Sequence, residues 1–204
     1  MGHDHRRLAA IILADVVGYS TLMGRNEGAT IANLKAHRRD FLQPTIAAHR
    51  GRVVNAAGDS LLLEFASVVD AVRCAVAIQH GMALRNTKVP RERQIELRLG
   101  INLGDIVVDA DEIAGDGVNI AARLQALAPP GGICVSRDVR DQVLDRLKVA
   151  FEDIGPQQVK NISRPIHVYR VNLGRRKDRL SVAQHARKLL RSPSGNRWLS
   201  AVQS

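Results

Sequence analysis

Apolar positions follow two different periods along the chain, and the change from one to the other outlines its elements. Residues 8–14 form an unbroken apolar run, LAAIILA, which predicts a buried strand that ends at Asp15. Between residues 27 and 49 apolar residues recur at near-helical spacing, which predicts a helix with Asn26 as its N-cap and a kink at Pro44. A strand followed by a helix therefore opens the chain.

The stretch after this helix predicts a β-hairpin. Its strands cover 52–57 and 60–65, and the turn between them is Gly58–Asp59, a pair common in tight turns. The remaining predicted elements are a helix over 66–85, a hairpin over 95–109 that turns at Gly104, a helix over 115–127, a strand over 132–136, a short helix over 137–144 and strands near 149–154, 157–162 and 166–171.

The order of these elements decides the fold class. Hairpins alternate with helices instead of a strict strand–helix repeat, which disfavours a doubly wound nucleotide-binding fold. We expect an α+β fold with a mostly antiparallel sheet covered on one face by helices, close to the split-βαβ, ferredoxin-like plan. This domain is expected to span residues 1–174, with residues 175–204 as a basic tail, partly helical or disordered.

Composition excludes several classes of protein. With 204 residues, 45% of them hydrophobic, the chain is long enough for one sizeable core and is neither collagen-like nor wholly disordered. Its longest apolar run is far shorter than the roughly 20 residues of a membrane helix, and an acidic residue stands where a signal peptide would have its cleavage site. Cys74 and Cys134 show no paired or metal-ligand spacing, so they are expected to be reduced core residues of a cytoplasmic protein.

The formal net charge of +10 is concentrated in the tail, residues 175–204, which contributes +7. This tail could contact phosphates or an acidic membrane surface by sequence-independent attraction, but we favour a solvated extension. Trp198 is its one aromatic residue, so a base-stacking platform is lacking and no specific nucleic-acid partner is expected. A nucleic-acid binder that acts through the tail stays as an alternative.

Two aspartates are candidates for metal binding. Asp15 ends an apolar strand, where a carboxylate is costly unless a cation meets it. Asp59 lies at the tip of the first hairpin and, taken alone, is more simply a turn residue. If that hairpin pairs beside the first strand, the two carboxylates converge at one edge of the sheet and form an oxygen-ligand set suited to Mg²⁺ or Mn²⁺. Two such ions can clamp the attacking and leaving oxygens of a displacement at a polyphosphate.

Three further polar residues are candidates with simpler alternatives. Asn119 and Arg123 are four residues apart on a predicted helix and therefore share one of its faces, as a solvated polar stripe would also require. Lys160 lies between two predicted strands, where a solvated lysine is the default interpretation. From the residues alone, both interpretations stay open.

Five strings resemble the successive motifs of the class III nucleotidyl cyclase catalytic domain, in its bacterial form. In chain order they are ADVVGYSTL, GDSLLLEF, LRLGINLGD, IAGDGVNIAARL and VKNISRPIHVYRV, and the resemblance spans residues 8–171. Five separate matches in the right order make the resemblance specific. It implies the class III cyclase fold for this part of the chain.

The resemblance also implies roles for individual residues. Asp15 and Asp59 match the two metal-binding aspartates of the family, and the backbone carbonyl of Val16 would complete the ligand set for two Mg²⁺ or Mn²⁺ ions per site. Asn119 matches the asparagine that orients the ribose. Arg123 matches the arginine that stabilises the charge developing on the phosphoryl group.

The reaction that the resemblance implies is attack of the ribose 3′-oxygen on the α-phosphate. Its products are a 3′,5′-cyclic nucleotide and pyrophosphate, and Lys160 matches a lysine that holds the terminal phosphates. Because the family places its metal aspartates and its Asn/Arg pair on opposite flanks of a subunit, a homodimer with shared sites is implied.

The chain departs from the family at the two positions that select the purine. Adenylate cyclases usually carry lysine and aspartate there, whereas this chain has Asn55 and Glu112. Glu112 can still accept from the adenine amino group and Asn55 can donate to N1, whereas guanine would leave Glu112 facing an acceptor. We therefore expect ATP as the substrate, with a guanylate cyclase and a catalytically weak, nucleotide-binding regulatory domain as alternatives.

Overall fold

The structure, a computed structural model, describes residues 5–109, 112–158 and 164–174, with backbone alone at residues 5, 108, 109 and 112. The strands are β1 (His5–Val16), β2 (Gly51–Asn55), β3 (Leu61–Phe65), β4 (Leu97–Asp109), β5 (Glu112–Ala114), β6 (Ile133–Ser136), β7 (Ala150–Gln157) and β8 (Ile166–Asn172). The α-helices are α1 (Tyr19–Arg25), α2 (Glu27–His37), α3 (Gln43–Ala48), α4 (Val68–Arg85), α5 (Asp116–Leu127) and α6 (Arg137–Val143). A π-helical turn covers Arg38–Leu42, and 3₁₀ turns cover Asn86–Lys88 and Arg91–Arg93.

These strands form one sheet in the order β2-β3-β1-β4-β6-β8-β7, with β5 paired to β4. The β4–β6 pair is parallel, and the other pairs described are antiparallel. The predicted α+β class with a mostly antiparallel sheet is therefore confirmed. The β2–β3 hairpin lies beside β1, where Ala14 is opposite Leu61.

The larger core lies between one face of the sheet and the helices α2, α3, α4 and α6. Ala10 and Ile12 of β1 point to this face and are completely buried with Phe65 of β3 and Ile78 of α4. Burying each large side chain of this kind stabilises the fold by about 1.5–3 kcal/mol. Because side chains alternate along a strand, the intervening residues of β1 face the other side of the sheet.

Helix α5 covers that other side, which corrects the expectation that helices lie on one face alone. Ile11 of β1 and Ala121 of α5 are fully buried in a second, smaller cluster. The helix approaches β4 closely because Gly100 has no side chain, and a Cβ atom there would lie 2.8 Å from the Cα atom of Gln125. The period of apolar residues does not reveal which face of a sheet a helix will cover.

Strand β4 is continuous, so the predicted hairpin turn at Gly104 is wrong. The strand runs for 13 residues and pairs with β1 through Val108. Gly104 serves the packing of α5, since a Cβ atom there would lie 3.0 Å from the Cα atom of Gly117. The chain reverses after β4 instead, and β5 pairs back onto its end.

Strand β7 likewise runs without a break through Gln157, so the first residue of the strand predicted over 157–162 belongs to β7. The rest of that prediction falls mostly outside the described residues.

The helix predicted over 27–49 is divided into α2, the π-helical turn and α3. Asn26 caps α2 as predicted, because its Oδ1 atom accepts a hydrogen bond from the amide of Ala29 at 2.9 Å. Pro44 lies in the first turn of α3, where its missing N–H group costs little.

Over the ranges that the structure covers, no helix has both the length and the apolar character that crossing a lipid bilayer requires. The tail, residues 175–204, and Lys160 lie outside the described residues.

Candidate active site

The two candidate metal ligands come together at one end of the sheet. Asp15 is the second-last residue of β1, and Asp59 lies in the turn that leads into β3, the strand beside β1. Ser60, the residue after Asp59, donates to the carboxylate of Asp15, and the carboxyl groups of Asp15 and Asp59 are neighbours. The structure thus brings both aspartates to one edge, as the sequence predicts, while their role as metal ligands stays a prediction.

The electrostatics of this pair favour a bound cation. Burial raises the pKa of Asp59 above its ordinary value, and the neighbouring carboxyl group of Asp15 raises it further. The backbone of the turn and the charge of Arg38 act in the opposite direction on the same pKa, but the net shift is upward. Since adjacent carboxylates repel, either a proton or a metal ion stabilises the pair.

Three other side chains contact Asp15. Arg98 lies opposite it in the β1–β4 register and donates to its Oδ2 atom at 3.0 Å. The hydroxyl of Ser60 and the side-chain amide of Gln125 donate to the same carboxylate, each at a longer 3.4 Å. The side chain of Asp15 keeps 20% of its surface exposed, so it remains open to a ligand.

Sequence reasoning missed Arg98 and Gln125. Arg98 is one charged residue in an alternating strand, and its place beside Asp15 depends on the register of two strands far apart in the chain. Gln125 reaches Asp15 because α5 lies on that face of the sheet. The available signal was the alternation in LRLGIN, residues 97–102: apolar residues occupy positions 97, 99 and 101, so the side chain of Arg98 points to the other face of the strand, away from the larger core.

The residues present fit a divalent cation. Carboxylate oxygens are hard donors of the kind that Mg²⁺ and Mn²⁺ prefer, and the pair needs positive charge. Among the side chains that the structure describes, no third Asp, Glu, His or Cys joins Asp15 and Asp59. The other ligands would be oxygens of the substrate, water or the backbone, such as the carbonyl of Val16, the last residue of β1.

Asn119 and Arg123 lie on the exposed side of α5. Within the described part of the chain, neither side chain forms a hydrogen bond or an ion pair. Gln125, which reaches Asp15, follows Arg123 by two residues, so the two side chains point about 200° apart around the helix. A single chain therefore does not bring Arg123 to the aspartate pair.

The two predicted purine-selecting positions lie on neighbouring elements. Asn55 is exposed at the end of β2, Glu112 begins β5, and these two strands contact each other. The side chain of Glu112 and the whole of Lys160 lie outside the described residues. The roles assigned to Asn55, Glu112 and Lys160 stay predictions.

Comparison with known families and proteins gives matches over most of the chain. The family model described as "Adenylate and Guanylate cyclase catalytic domain" matches residues 3–173. "Putative adenylate cyclase 3" of Rhizobium meliloti is 49% identical over 164 residues, which cover 80% of this chain and 28% of that protein. "Adenylate cyclase" of Streptomyces coelicolor is 29% identical over 139 residues, covering 68% of this chain and 35% of that protein. The chain thus spans about a third or less of the length of these relatives.

Solved structures share the fold. The crystal structure titled "Adenylate/Guanylate Cyclase/Hydrolase from Silicibacter pomeroyi" has a TM-score of 0.78 and 46% identity, over 83% of this chain and 98% of that chain. The adenylyl cyclase CyaB from P. aeruginosa has a TM-score of 0.74 over 86% of this chain and 98% of that chain. Its identity of 23% makes this second likeness one of fold alone.

Proposed function

Because the chain belongs to the adenylate and guanylate cyclase catalytic domain family, we propose that it converts ATP into 3′,5′-cyclic AMP and pyrophosphate at sites shared between two copies of the chain. The observation that carries this proposal is the placement of the Asp15 and Asp59 carboxyl groups beside each other at the end of β1. Such a pair is unfavourable without a cation, and a nucleoside triphosphate is a substrate that binds together with divalent cations.

In this proposal Asp15, Asp59 and the carbonyl of Val16 hold two Mg²⁺ or Mn²⁺ ions. When bound, these ions lower the pKa of the ribose 3′-hydroxyl and neutralise charge on the phosphates. Arg98, which lies beside Asp15 and is 31% exposed, adds a fixed positive charge next to the phosphate chain.

Arg123 and Asn119 complete the site from the second chain. Arg123 offers a planar fork of N–H donors where negative charge grows on the phosphoryl group, and Asn119 orients the ribose. Both side chains are exposed, and Arg123 points about 200° around the helix from Gln125, the residue that reaches Asp15 of the same chain, which supports their use by a partner copy. Lys160 would hold the terminal phosphates. Losing one donor of this kind typically lowers the rate by about 10²- to 10³-fold.

Asn55 and Glu112 favour ATP over GTP by their hydrogen-bonding groups. A glutamate accepts from the adenine amino group but would face the O6 acceptor of guanine as an unpaired charge. The names of the two relatives that are called adenylate cyclases support the same choice. A guanylate cyclase is the second candidate, because asparagine at residue 55 can both donate and accept.

Product analysis tests the reaction. Purified protein is incubated with ATP or GTP in Mn²⁺ and in Mg²⁺, and cyclic nucleotide and pyrophosphate are separated and quantified. We expect cyclic AMP in equal amount to pyrophosphate, with a loss of at least about 10²-fold in Asp15→Ala. Faster turnover of GTP would reverse the nucleotide assignment, and no cyclic product from either nucleotide would favour a nucleotide-binding regulatory domain.

Mixing two inactive variants tests the shared sites. Asp59→Ala and Arg123→Ala each disable every site of their own homodimer, but a mixed dimer has one site with both changes and one with neither. Random mixing in equal amounts is expected to restore about a quarter of wild-type activity. If mixed dimers are detected by native mass spectrometry and activity stays absent, the sites are not shared.

A further inference from the structure

Arg38 holds the turn that carries Asp59. Its Nη2 atom donates to the carbonyl oxygen of Gly58 at 2.6 Å and, more weakly, to that of Ser60 at 3.4 Å. These two carbonyls lie on either side of Asp59 in the chain. Hydrogen bonds from a charged donor are stronger than those between neutral groups, so Arg38 ties the helical layer firmly to the tip of the hairpin.

The placement of Arg38 depends on an irregular piece of helix. It is the first residue of the π-helical turn, which ends at Leu42, a residue with 1% exposure in the larger core. Turns of this kind are rare and are found frequently at functional sites. Leu42 thus anchors the turn in the core while Arg38 reaches the hairpin.

Asp59 lies in a turn that is closed by a backbone hydrogen bond from the amide of Ser60 to the carbonyl oxygen of Ala57 at 2.9 Å. It follows Gly58, whose φ of 56° is left-handed, and the pairing of β2 with β3 is irregular between Val53 and Asn55. Arg38 adds a side-chain attachment to this turn through both carbonyls.

We propose that Arg38 is a positioning residue for the divalent-cation site and keeps the Asp59 carboxylate beside Asp15. The inference rests on the proposed function of the aspartate pair. Arg38 acts through the backbone of the turn, so its replacement should weaken cation binding more than it weakens the fold. Residues that orient metal ligands in this way typically change metal affinity by about 10- to 100-fold.

The test compares Arg38→Met and Arg38→Lys with a matched control, Arg39→Met. Arg39 is the next residue in the same turn, but its side chain is 74% exposed and pairs with Asp40. The probe is Mn²⁺ together with 3′-deoxy-ATP, which lacks the attacking hydroxyl and cannot be cyclised. Free Mn²⁺ is measured by electron paramagnetic resonance on the full chain, and the unfolding midpoint is measured in EDTA.

We expect Arg38→Met to weaken Mn²⁺ binding about tenfold or more. Arg38→Lys is expected to fall between Arg38→Met and wild type, because one ammonium group restores the charge but not the fork of donors. Arg39→Met should bind as the wild type does. With ATP at saturating Mn²⁺, the kcat of Arg38→Met should return to within about threefold of wild type, while the Mn²⁺ concentration that gives half-maximal activity stays raised. A general loss of folding would lower kcat as well and would not separate the two quantities.

The inference is overturned if Arg38→Met binds Mn²⁺ as tightly as Arg39→Met. It is also overturned if the loss of affinity is no larger than the loss of folded protein seen in EDTA. Should Arg38→Met fail to fold, Arg38→Lys decides by the same comparison. A wild-type protein that binds Mn²⁺ and 3′-deoxy-ATP but makes no cyclic nucleotide would refute the proposed function, and the Arg38 comparison could still be made.

Discussion

Replacing Gly100 with alanine tests how closely α5 must lie on the sheet. Gly100 is in the middle of β4, where the strand passes under the helix that carries Asn119 and Arg123. A Cβ atom on Gly100 would lie 2.8 Å from the Cα atom of Gln125, and closer still to the carbonyl oxygen of Ala121. The obstructing atoms are backbone, so a change of rotamer cannot relieve the clash.

The size of the effect follows from that distance. Carbon atoms in contact are about 3.5–4.0 Å apart, so α5 must move by roughly 1 Å or more. Overpacking in a well-packed region costs about 1–3 kcal/mol, and we expect the upper end because a whole helix must shift. A shift of about 1 Å also displaces Arg123 and can cost about 10²-fold in rate, so activity should fall more than the amount of folded protein.

Urea unfolding followed by circular dichroism measures the stability, and cyclic AMP formation measures the activity. For a domain of this size, a loss near 3 kcal/mol lowers the Tm by about 6–12 °C. The control is Gly28→Ala in α2, where a Cβ atom would meet nothing within 4 Å. Alanine in that open helical position is expected to stabilise by about 0.5–1 kcal/mol. An unfolding midpoint for Gly100→Ala equal to that of the wild type would refute the close approach of α5.

Three further predictions concern charged and buried groups. Because the folded-state pKa of Asp59 is raised, its ionised form destabilises the fold. The metal-free protein should therefore become more stable as the pH falls towards that pKa. At pH 7 in EDTA, Asp59→Asn should need a higher urea concentration for unfolding than the wild type does, while it loses cyclase activity. Glu64 is 4% exposed and forms ion pairs with two half-exposed arginines, so Glu64→Gln should cost about 1–3 kcal/mol in urea unfolding. Burial raises the pKa of Cys74 to about 12 and that of Cys134 to about 11, so neither thiol should react with iodoacetamide at pH 8 until urea unfolds the chain.

The aspartate pair could be predicted because its signals are local. An unbroken apolar run that ends in Asp15 predicts a strand end, and Gly58–Asp59 between two short strands predicts a hairpin tip. Their convergence needs one further assumption, that a hairpin pairs beside the first strand, and β1–β3 pairing meets it. The two arginines near these carboxylates could not be predicted in the same way. Arg98 reaches the site through the register of β1 and β4, and Arg38 reaches it from a π-helical turn.

Gly104 shows why a local signal can mislead. A glycine between two apolar segments predicts a turn, but it equally permits another piece of backbone to come close. Here the second meaning holds, because Gly104 faces Gly117 of α5 within an unbroken strand. Which of the two holds depends on whether another element packs against the strand at that glycine, and the neighbouring residues in the sequence do not show this.

The two arginines at the site compensate the carboxylates in different ways, and the difference affects how cations bind. Arg38 is attached to backbone carbonyls, so it can stay in place when a cation binds Asp59. Arg98 donates to Asp15 itself, and its Nε atom is buried with no partner among the described residues, so a cation on Asp15 competes directly with this ion pair. A polyphosphate offers Arg98 another anion and so removes the competition. Cation and nucleotide are therefore expected to strengthen each other's binding, because the Arg98 guanidinium competes with the cation for Asp15 but binds the polyphosphate of the nucleotide.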